Sequence, residues 1–154
     1  MNGLIEFDEI DEHLRMGDYP VLGMGSARRV FDLGNDTVVK VARNVKGYAQ
    51  NEVECMISEM DESDTFAKVL YVARDGRCLV MEKAGPVYNF ASIRSYYHVE
   101  SNKDLFQLNN LSYIPRKYNL LISDLCRPVN WGVIDGRPVI IDYGFTGRIR
   151  RKYY

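Results

Sequence analysis

The amino-acid sequence predicts an α+β fold in which a five-stranded antiparallel sheet carries one helix. The first observation is the alternating, β-branched segment Thr37–Ala42, a pattern that is typical of a strand. The second is a pair of turn sequences, Gly34-Asn35-Asp36 and Asp75-Gly76, each placed between apolar runs as in a hairpin. The third is a set of apolar residues at helical spacing within residues 49–60.

The elements of the first half follow in order from local patterns. Residues 1–18 are acidic and mildly amphipathic, which predicts a short helix or a cap over the first strand. We expect strands at 21–22, 27–33 and 37–42, then a linker at 43–48 and a helix over about 49–60. Two further strands are expected at 66–72 and 78–82. The apolar face predicted for the helix consists of Ala49, Val53, Met56, Ile57 and Met60.

Gly85-Pro86 is expected to break the chain and to divide it into two parts of one domain, about 1–84 and about 85–154. The second part predicts one or two helices around 90–97 and 103–111, with Pro115 at or just beyond the end of the later one. A loop-and-strand segment is expected from Leu120. A second hairpin, 131–134 with 138–141, is predicted across Asp135-Gly136.

The composition limits the classes of function. The 154 residues are 46% hydrophobic and 12% aromatic, which is enough for a folded core. Lys and Arg number 20 against 21 Asp and Glu, so the net charge of −1 argues against a nucleic-acid binder. The local exception is the basic run 148–152, which we expect to be a solvated tail rather than a docking site for phosphate or an acidic partner.

The spacing of the cysteines and the length of the apolar runs predict the cellular compartment of the protein. Cys55, Cys78 and Cys126 are widely spaced and form no CxxC pair, a pattern expected of reduced thiols. No His/Cys/carboxylate cluster has the spacing of a zinc site. Neither the start of the chain nor any later apolar run has the length of a signal peptide or a membrane span. We therefore expect a soluble, cytoplasmic protein without a membrane partner.

A glycine-rich turn, Gly23-Met24-Gly25-Ser26, lies between the first two predicted strands. Glycine allows backbone N–H groups to approach phosphate oxygens without an intervening Cβ. Two glycines between strands also occur in an ordinary hairpin. Downstream, Lys40 lies among apolar residues of the third strand, where it is either a phosphate-binding cation or an outward-facing surface lysine.

Three polar residues in the last third of the chain follow short apolar runs. Asp124 follows Leu120-Leu121-Ile122-Ser123, Asn130 precedes the second hairpin, and Asp142 directly follows it. Carboxylate and amide oxygens are ligands that Mg²⁺ accepts, and a carboxylate at a strand end can meet metal and phosphate together. Each residue has a simpler interpretation as a cap or a turn former.

Taken in order, the glycine turn, the strand lysine, Asp124, Asn130 and Asp142-Tyr143-Gly144 resemble the ATP site of the protein kinase superfamily. The resemblance covers roughly residues 21–145 and is closest to a minimal kinase-like protein of the compact bacterial or phage type. It implies a kinase-like fold with a five-stranded N-terminal lobe and a reduced, mainly helical C-terminal lobe that contains a short hairpin.

The resemblance also implies a role for each matching residue. Lys40 binds phosphate and pairs with a helix glutamate, for which Glu54 is preferred to Glu52. Asp124 accepts the proton of the acceptor hydroxyl, and Met81 guards the pocket behind the adenine-binding segment. The full set is Lys40 and Asp124 for catalysis; Gly23, Gly25, Ser26, Val30, Lys40, Glu54, Met81, Glu82 and Ala84 for ATP; and Asn130 and Asp142 for Mg²⁺.

The chain departs from the kinase pattern at several points. Arg28 replaces the third glycine of the loop, where its side chain is expected to contact phosphate or to face solvent. Ile122-Ser123 replaces the His-Arg that normally precedes the catalytic aspartate, and Asp124 and Asn130 are six residues apart instead of five. Only ten residues follow Gly144, which leaves no room for an activation segment or a platform for a protein substrate.

Two functions remain open after this comparison. The first is an ATP-dependent phosphotransferase that phosphorylates a Ser, Thr or Tyr hydroxyl of a protein, either itself or a partner. The second is a weakly active or inactive pseudokinase that acts as a protein-binding inhibitor or regulator. Lys40, Asp124 and Asp142 favour the first hypothesis, and the missing substrate platform favours the second.

Overall fold

A computed structural model describes residues 6–154; the first five residues, including Ile5 of the amphipathic segment, lie outside the described part. The strands of this part are β1 (Val21–Met24), β2 (Arg28–Gly34), β3 (Thr37–Ala42), β4 (Val69–Val72), β5 (Cys78–Glu82), β6 (Gly85–Pro86), β7 (Trp131–Ile134) and β8 (Arg137–Ile140). Its helices are α1 (Phe7–Arg15), α2 (Val45–Met60), α3 (Ala91–Tyr96), α4 (Asn102–Leu105), α5 (Ile114–Tyr118), α6 (Ile122–Leu125) and α7 (Gly147–Tyr153).

The five-stranded antiparallel sheet predicted for the first half is confirmed, with the strand order β1-β2-β3-β5-β4. β3 is the central strand, and Lys40 lies opposite Val30 of β2 and Leu79 of β5. Side chains alternate between the two faces of a strand. Val39 and Val41 therefore pack on one face with α1, while Val38 and Lys40 point to the face that α2 covers.

Helix α2 begins at Val45, four residues before the predicted start, because Asn44 caps it. The Asn44 side chain accepts hydrogen bonds from the backbone N–H groups of Lys46 and Gly47. The predicted apolar face is correct only in part, since Ile57 is buried and Val53 packs against the main core, but Met56 and Met60 are about half exposed. The buried residues of the helix are Gly47, Gln50, Asn51, Glu54 and Ile57.

The second half contains a three-stranded sheet and several short helices. Gly85–Pro86 does not break the chain into a loop but forms β6, which pairs with β7, and β7 pairs with β8 in the predicted hairpin. Pro115 lies in the first turn of α5 and not at the end of a helix, so that prediction is wrong. The first turn suits proline because its missing N–H has no helical partner there.

Two further corrections concern the last third of the chain. The segment after Leu120 contains the helical turn α6 and a 3₁₀ turn at Pro128–Asn130, where a loop and strand were expected. The basic run is part of α7, which Thr146 caps and which buries Ile149, and not a tail; its four basic residues are exposed, as predicted for a solvated segment. Tyr154, just after α7, receives a hydrogen bond from Gln50 of α2 at 3.3 Å.

The main core lies between the five-stranded sheet, α2 and the second half of the chain. Its largest fully buried side chains include Trp131, Tyr143 and Phe66. A smaller core joins Ile10 of α1 to the opposite face of the sheet. None of the helices within residues 6–154 is both long enough and apolar enough to cross a membrane.

Candidate functional site

Four charged side chains from distant parts of the sequence meet between the five-stranded sheet, α2 and the segment after β8. Lys40 Nζ donates to Glu54 Oε1 at 2.9 Å, and Arg28 donates to both oxygens of Glu54 at 2.7 and 2.9 Å. Arg28 Nη2 also donates to Asp142 Oδ1 at 3.0 Å. We refer to Arg28, Lys40, Glu54 and Asp142 as the charge cluster.

Strand register and close packing explain why these residues meet. Arg28 lies opposite Ala42 and Val30 lies opposite Lys40, so Arg28 and Lys40 project from the same face of the sheet. Gly47 allows α2 to approach this face, because a Cβ at Gly47 would stand 2.3 Å from the carbonyl oxygen of Ala27. Glu54 lies two turns further along α2, above the two cations.

Burial makes the charge cluster an electrostatic unit. The side chain of Glu54 is 0% exposed, and those of Arg28 and Lys40 are each 6% exposed. Burial alone would raise the pKa of Glu54, but the positive charges of Arg28 and Lys40 outweigh it and lower this pKa to about 2. Glu54 is therefore ionised at neutral pH and holds both cations.

The pKa values of the two cations of the cluster shift in opposite directions, although burial acts to lower both. Burial lowers the pKa of Lys40, and the nearby positive charge of Arg28 lowers it further. The negative charge of Glu54 opposes both effects but does not outweigh them. Burial also acts to lower the pKa of Arg28, but Glu54 and Asp142 raise it above the usual value for arginine. Arg28 is thus a permanent cation at this position.

The segment Asp142-Tyr143-Gly144 is anchored on both sides. The backbone N–H of Tyr143 donates to Glu54 Oε2 at 2.9 Å, and its hydroxyl donates to the carbonyl oxygen of Ala67 at 2.6 Å. Its ring packs edge-on against Phe66. Gly144 lies against α2, where a Cβ would be 2.7 Å from the carbonyl oxygen of Gln50. Lys40 Nζ also donates to the Ile141 carbonyl at 2.6 Å, so the cluster holds this segment in place.

Asp124 and Asn130 are linked across their six-residue spacing. The Asn130 side-chain amide donates to the backbone carbonyl of Asp124 at 2.9 Å, and the 3₁₀ turn takes up the additional residue. Burial raises the pKa of Asp124 and the negative charge of Asp142 adds to the rise, while Arg127 and Arg150 oppose it. Asp124 therefore shares an electrostatic environment with the charge cluster.

The glycine turn has no packing reason for its glycines. A Cβ at Gly23 would meet no atom within 4 Å, and one at Gly25 would meet only the Arg28 carbonyl, at 3.8 Å. A residue outside the turn holds it in place, because the side-chain amide of Asn44 donates a hydrogen bond to the carbonyl oxygen of Ser26 at 2.8 Å. The space beside Gly23 is thus open in the folded protein.

The segment expected to meet adenine is partly used within the protein. Met81 is 1% exposed and belongs to the main core. The Glu82 N–H donates to the Lys68 carbonyl at 3.0 Å, and the Lys83 N–H donates to the Asp36 carbonyl at 2.8 Å. The backbone N–H of Glu82, a residue predicted to meet adenine, is therefore already used in a hydrogen bond within the protein. Ala84 lies between the end of β5 and the start of β6.

The residues predicted to bind Mg²⁺ do not fit a preformed magnesium site. Asp142 has Arg28 as its partner, and Asn130 is turned toward the Asp124 backbone by its amide hydrogen bond. In the part of the chain that the structure describes, no three Asp, Glu, His or Cys side chains are grouped closely enough to hold a metal ion. The roles of Asn130 and Asp142 as metal ligands remain predictions.

The sequence did not predict the position of Arg28, whose side chain is buried and paired with Glu54 and Asp142. It also missed Asn51, which is buried between Arg28 and the β4–β5 turn and donates to the carbonyls of Gly76 and Arg77, both at 3.0 Å. A polar residue three positions before Glu54, on the same helix face, was the available indication.

A surface cavity of about 370 Å³ lies beside α7. It is lined by Leu121, Gly147, Arg150, Arg151 and Tyr154. Arg150 is close enough to lower the pKa of Asp124. Leu121 of the cavity lining also accepts the Asp124 N–H at 3.1 Å, so the cavity lies next to the helical turn that carries Asp124.

Comparison with known proteins supports the fold and leaves the function open. No protein-family model matches the sequence, and no curated protein does. Among solved structures, the chain is similar to the aminoglycoside phosphotransferase APH(2″)-IIa in its ternary complex with streptomycin and ATP. The identity is 16% and the TM-score is 0.50, over 92% of this chain and 72% of the other. The chain thus has a mixed α/β fold similar to that of a phosphotransferase with the protein-kinase-like fold.

Proposed function

We propose that this protein binds ATP between the glycine turn and the charge cluster and transfers the terminal phosphate to a hydroxyl group beside Asp124. The observation that supports this most strongly is the charge cluster itself. A strand lysine is paired with a buried glutamate, next to the carboxylate of Asp142 and close to a turn whose glycines are not required by packing. Phosphoryl transfer depends mainly on positioning and electrostatic stabilisation, which such a cluster supplies.

In this proposal Lys40 is the phosphate-binding cation. Glu54 and the Ile141 carbonyl hold its ammonium group in one place, so little conformational entropy is lost when phosphate arrives. Backbone N–H groups of the turn at Gly23 and Ser26 approach the phosphates from above, while the Gly25 N–H, which donates to the Arg28 carbonyl at 2.9 Å, keeps the turn closed. Val30 lies below the turn. Adenine lies near Met81, Glu82 and Ala84, where Ala84 provides the backbone groups that Glu82 does not.

Asp124 is the proton acceptor in this proposal. Its raised pKa makes it a stronger base than an exposed aspartate, which favours removal of a proton from an attacking hydroxyl. The acceptor is a Ser, Thr or Tyr hydroxyl of a protein, either this chain or a partner. The cavity beside α7 is open to solvent and adjoins this side of the molecule, so an acceptor side chain can approach there.

The test is calorimetry with ATP on wild type and the Lys40→Ala variant, followed by a radiolabelled-phosphate assay. We expect Lys40→Ala to weaken ATP binding by about tenfold or more, because a charge-assisted contact is lost. Arg28 still pairs with Glu54 in this variant, so the fold is retained. Lys103→Ala, which changes an exposed lysine of α4, is the matched control.

Asp124→Ala separates binding from transfer. We expect it to bind ATP with the affinity of wild type and to show no transfer of labelled phosphate to itself or to lysate proteins. Equal ATP affinities for wild type and Lys40→Ala would contradict the proposed site.

A second candidate function is an ATP-binding regulatory protein that transfers no phosphate. The ion pair between Arg28 and Asp142 favours it, because Asp142 is then engaged within the protein. Wild type that binds ATP and transfers no more phosphate than Asp124→Ala would support this second function over the first.

A further inference from the structure

The charge balance of the cluster differs from that of the kinase pattern because of Arg28. Lys40, Glu54 and Asp142 together carry a net charge of about −1, and Arg28 brings the group to zero. In the kinase pattern a divalent metal supplies the missing positive charge together with the nucleotide. In this protein a guanidinium that is always charged is already next to Asp142.

The two carboxylate partners of Arg28 are held very differently. Glu54 is 0% exposed and binds the guanidinium through two hydrogen bonds, so it fixes Arg28 in place. Asp142 is 49% exposed and accepts a single hydrogen bond, from Nη2. Of the two carboxylates, only Asp142 can turn into solvent without leaving a buried charge unpaired, because Arg28 would still be paired with Glu54.

Phosphate is a suitable replacement for Asp142. Guanidinium binds phosphate oxygens with the same planar, charge-assisted geometry that it uses for carboxylates. Arg28 is the first residue of β2, just after the glycine turn, and its carbonyl accepts the Gly25 N–H at 2.9 Å. Its guanidinium and the Lys40 ammonium both donate to Glu54 Oε1. A nucleotide phosphate that enters under the turn meets Arg28 and Lys40 together.

We propose that Arg28 is a nucleotide-binding residue that takes a phosphate oxygen in exchange for the Asp142 carboxylate, so that the nucleotide binds without a divalent metal ion. This inference rests on the proposed function, because it assumes that the nucleotide lies over the charge cluster. It assigns to Asp142 the role of a competitor for Arg28 in the nucleotide-free protein. Glu54 then serves as the support that keeps Arg28 in position in both states.

The test is calorimetry with ATP in excess EDTA and in excess MgCl₂, on wild type and on Asp142→Asn. We expect wild-type affinities in the two buffers to agree within about threefold. We expect Asp142→Asn to tighten binding in EDTA by about tenfold, because the competing charge-assisted hydrogen bond is removed. Asp135→Asn, which removes an exposed carboxylate in the β7–β8 turn, is the matched control and should leave the affinity unchanged.

Arg28→Lys gives a second measurement, since it keeps the positive charge and removes the planar fork. We expect it to weaken binding in EDTA by about tenfold, with a thermal melt to show that it folds. Binding of ATP to wild type in MgCl₂ but not in EDTA would overturn this inference and leave the proposed function intact. Weaker metal-free binding by Asp142→Asn would overturn it as well. No binding in either buffer would overturn the proposed function, and the inference with it.

Discussion

Glu54 is the residue that holds the candidate site together. Its carboxylate accepts hydrogen bonds from Arg28, Lys40 and the backbone N–H of Tyr143, which belong to β2, β3 and the segment after β8. All three donors are buried. Removing the negative charge would leave two buried cations with a single carboxylate, Asp142, that is partly in water.

We predict that Glu54→Gln lowers the free energy of unfolding by about 3–5 kcal/mol, the cost of breaking a buried ion pair from one side. Urea unfolding followed by circular dichroism measures this change. Glu52→Gln is the matched control, because Glu52 is exposed on the same helix and its substitution should change stability by less than about 0.5 kcal/mol. Equal midpoints for the two variants would contradict the importance of the cluster for folding.

The lowered pKa of Glu54 predicts that the free energy of unfolding depends on pH. The pKa of Glu54 is about 2 in the folded protein, below its ordinary value of 4.5. Its contribution to stability is therefore complete above about pH 4.5 and is lost as the pH falls toward 2, a change of about 3 kcal/mol for this group. Glu54→Gln should lack this part of the acid sensitivity. The same decline in both proteins between pH 4.5 and 2 would show that Glu54 is not its source.

For the individual residues of the charge cluster, the sequence predicted the partner of Lys40 and missed the partners of Arg28. The pairing of Lys40 with Glu54 rather than Glu52 was expected from residue order and is what the structure shows. Arg28 was missed because its partner Asp142 lies 114 residues away. A contact between residues so far apart leaves no local pattern in the sequence. A buried arginine in a strand therefore cannot be distinguished from a surface arginine by its neighbours in the sequence.

Helix α2 shows how a single element can position the site through its backbone. Gly47 brings the helix against the sheet, and Gly144 brings the Asp142 segment against the helix. Both contacts involve backbone atoms of the neighbour, which cannot rotate away as a side chain can. The distance between the two sides of the charge cluster therefore depends on glycine at these positions.

We predict that Gly47→Ala destabilises the protein by about 1–3 kcal/mol, because the new Cβ would lie 2.3 Å from the Ala27 carbonyl oxygen. In an open helix position the same change would stabilise by up to about 1 kcal/mol, so the sign is informative. Thermal unfolding measures it. Gly23→Ala is the control, since its Cβ meets no atom within 4 Å and stability should stay within about 0.5 kcal/mol. A more stable Gly47→Ala would show that α2 can shift freely.

The sequence predicted the existence of α2 and the core positions of Ile57 and Val53, but not the rest of the buried face. Apolar residues at helical spacing indicated Met56 and Met60, which are about half exposed. The buried face instead carries Gln50, Asn51 and Glu54, whose polar groups are satisfied by Arg28, by backbone carbonyls and by Tyr154. Hydrophobic periodicity cannot identify a face that is buried through hydrogen bonds.

At the scale of the whole molecule, Asp61 joins the end of α2 to the helical second half. Asp61 Oδ2 accepts hydrogen bonds from the hydroxyls of Tyr113 and Tyr118, each at 2.7 Å. Asp61 Oδ1 accepts from Ser63. This group lies at the opposite end of α2 from the Asn44 cap, so the helix is fixed at both ends.

We predict that Asp61→Ala lowers the free energy of unfolding by about 3 kcal/mol, because two tyrosine hydroxyls lose their acceptor. Denaturant unfolding measures the loss. Glu62→Ala changes the adjacent, exposed carboxylate and should have an effect within about 0.5 kcal/mol. If the two variants unfold at the same denaturant concentration, the link between the halves is not made by Asp61.

The overall architecture could be predicted as far as it is built from neighbouring segments. The hairpins across Asp75-Gly76 and Asp135-Gly136 were recognised from their turns, and both glycines have positive φ. The pairing of Gly85–Pro86 with β7 and the packing of α7 near α2 were missed, because they join segments that are far apart in sequence. Their formation depends on tertiary contacts and not on local propensity.

Tyr143 has a consequence for the choice of chemical probes. A phenylalanine at this place could swing outward without losing a polar contact. The buried tyrosine hydroxyl donates a hydrogen bond to the Ala67 carbonyl. The same movement would therefore leave both groups without a hydrogen-bond partner. A compound whose binding requires this side chain to turn outward will therefore bind poorly to this protein.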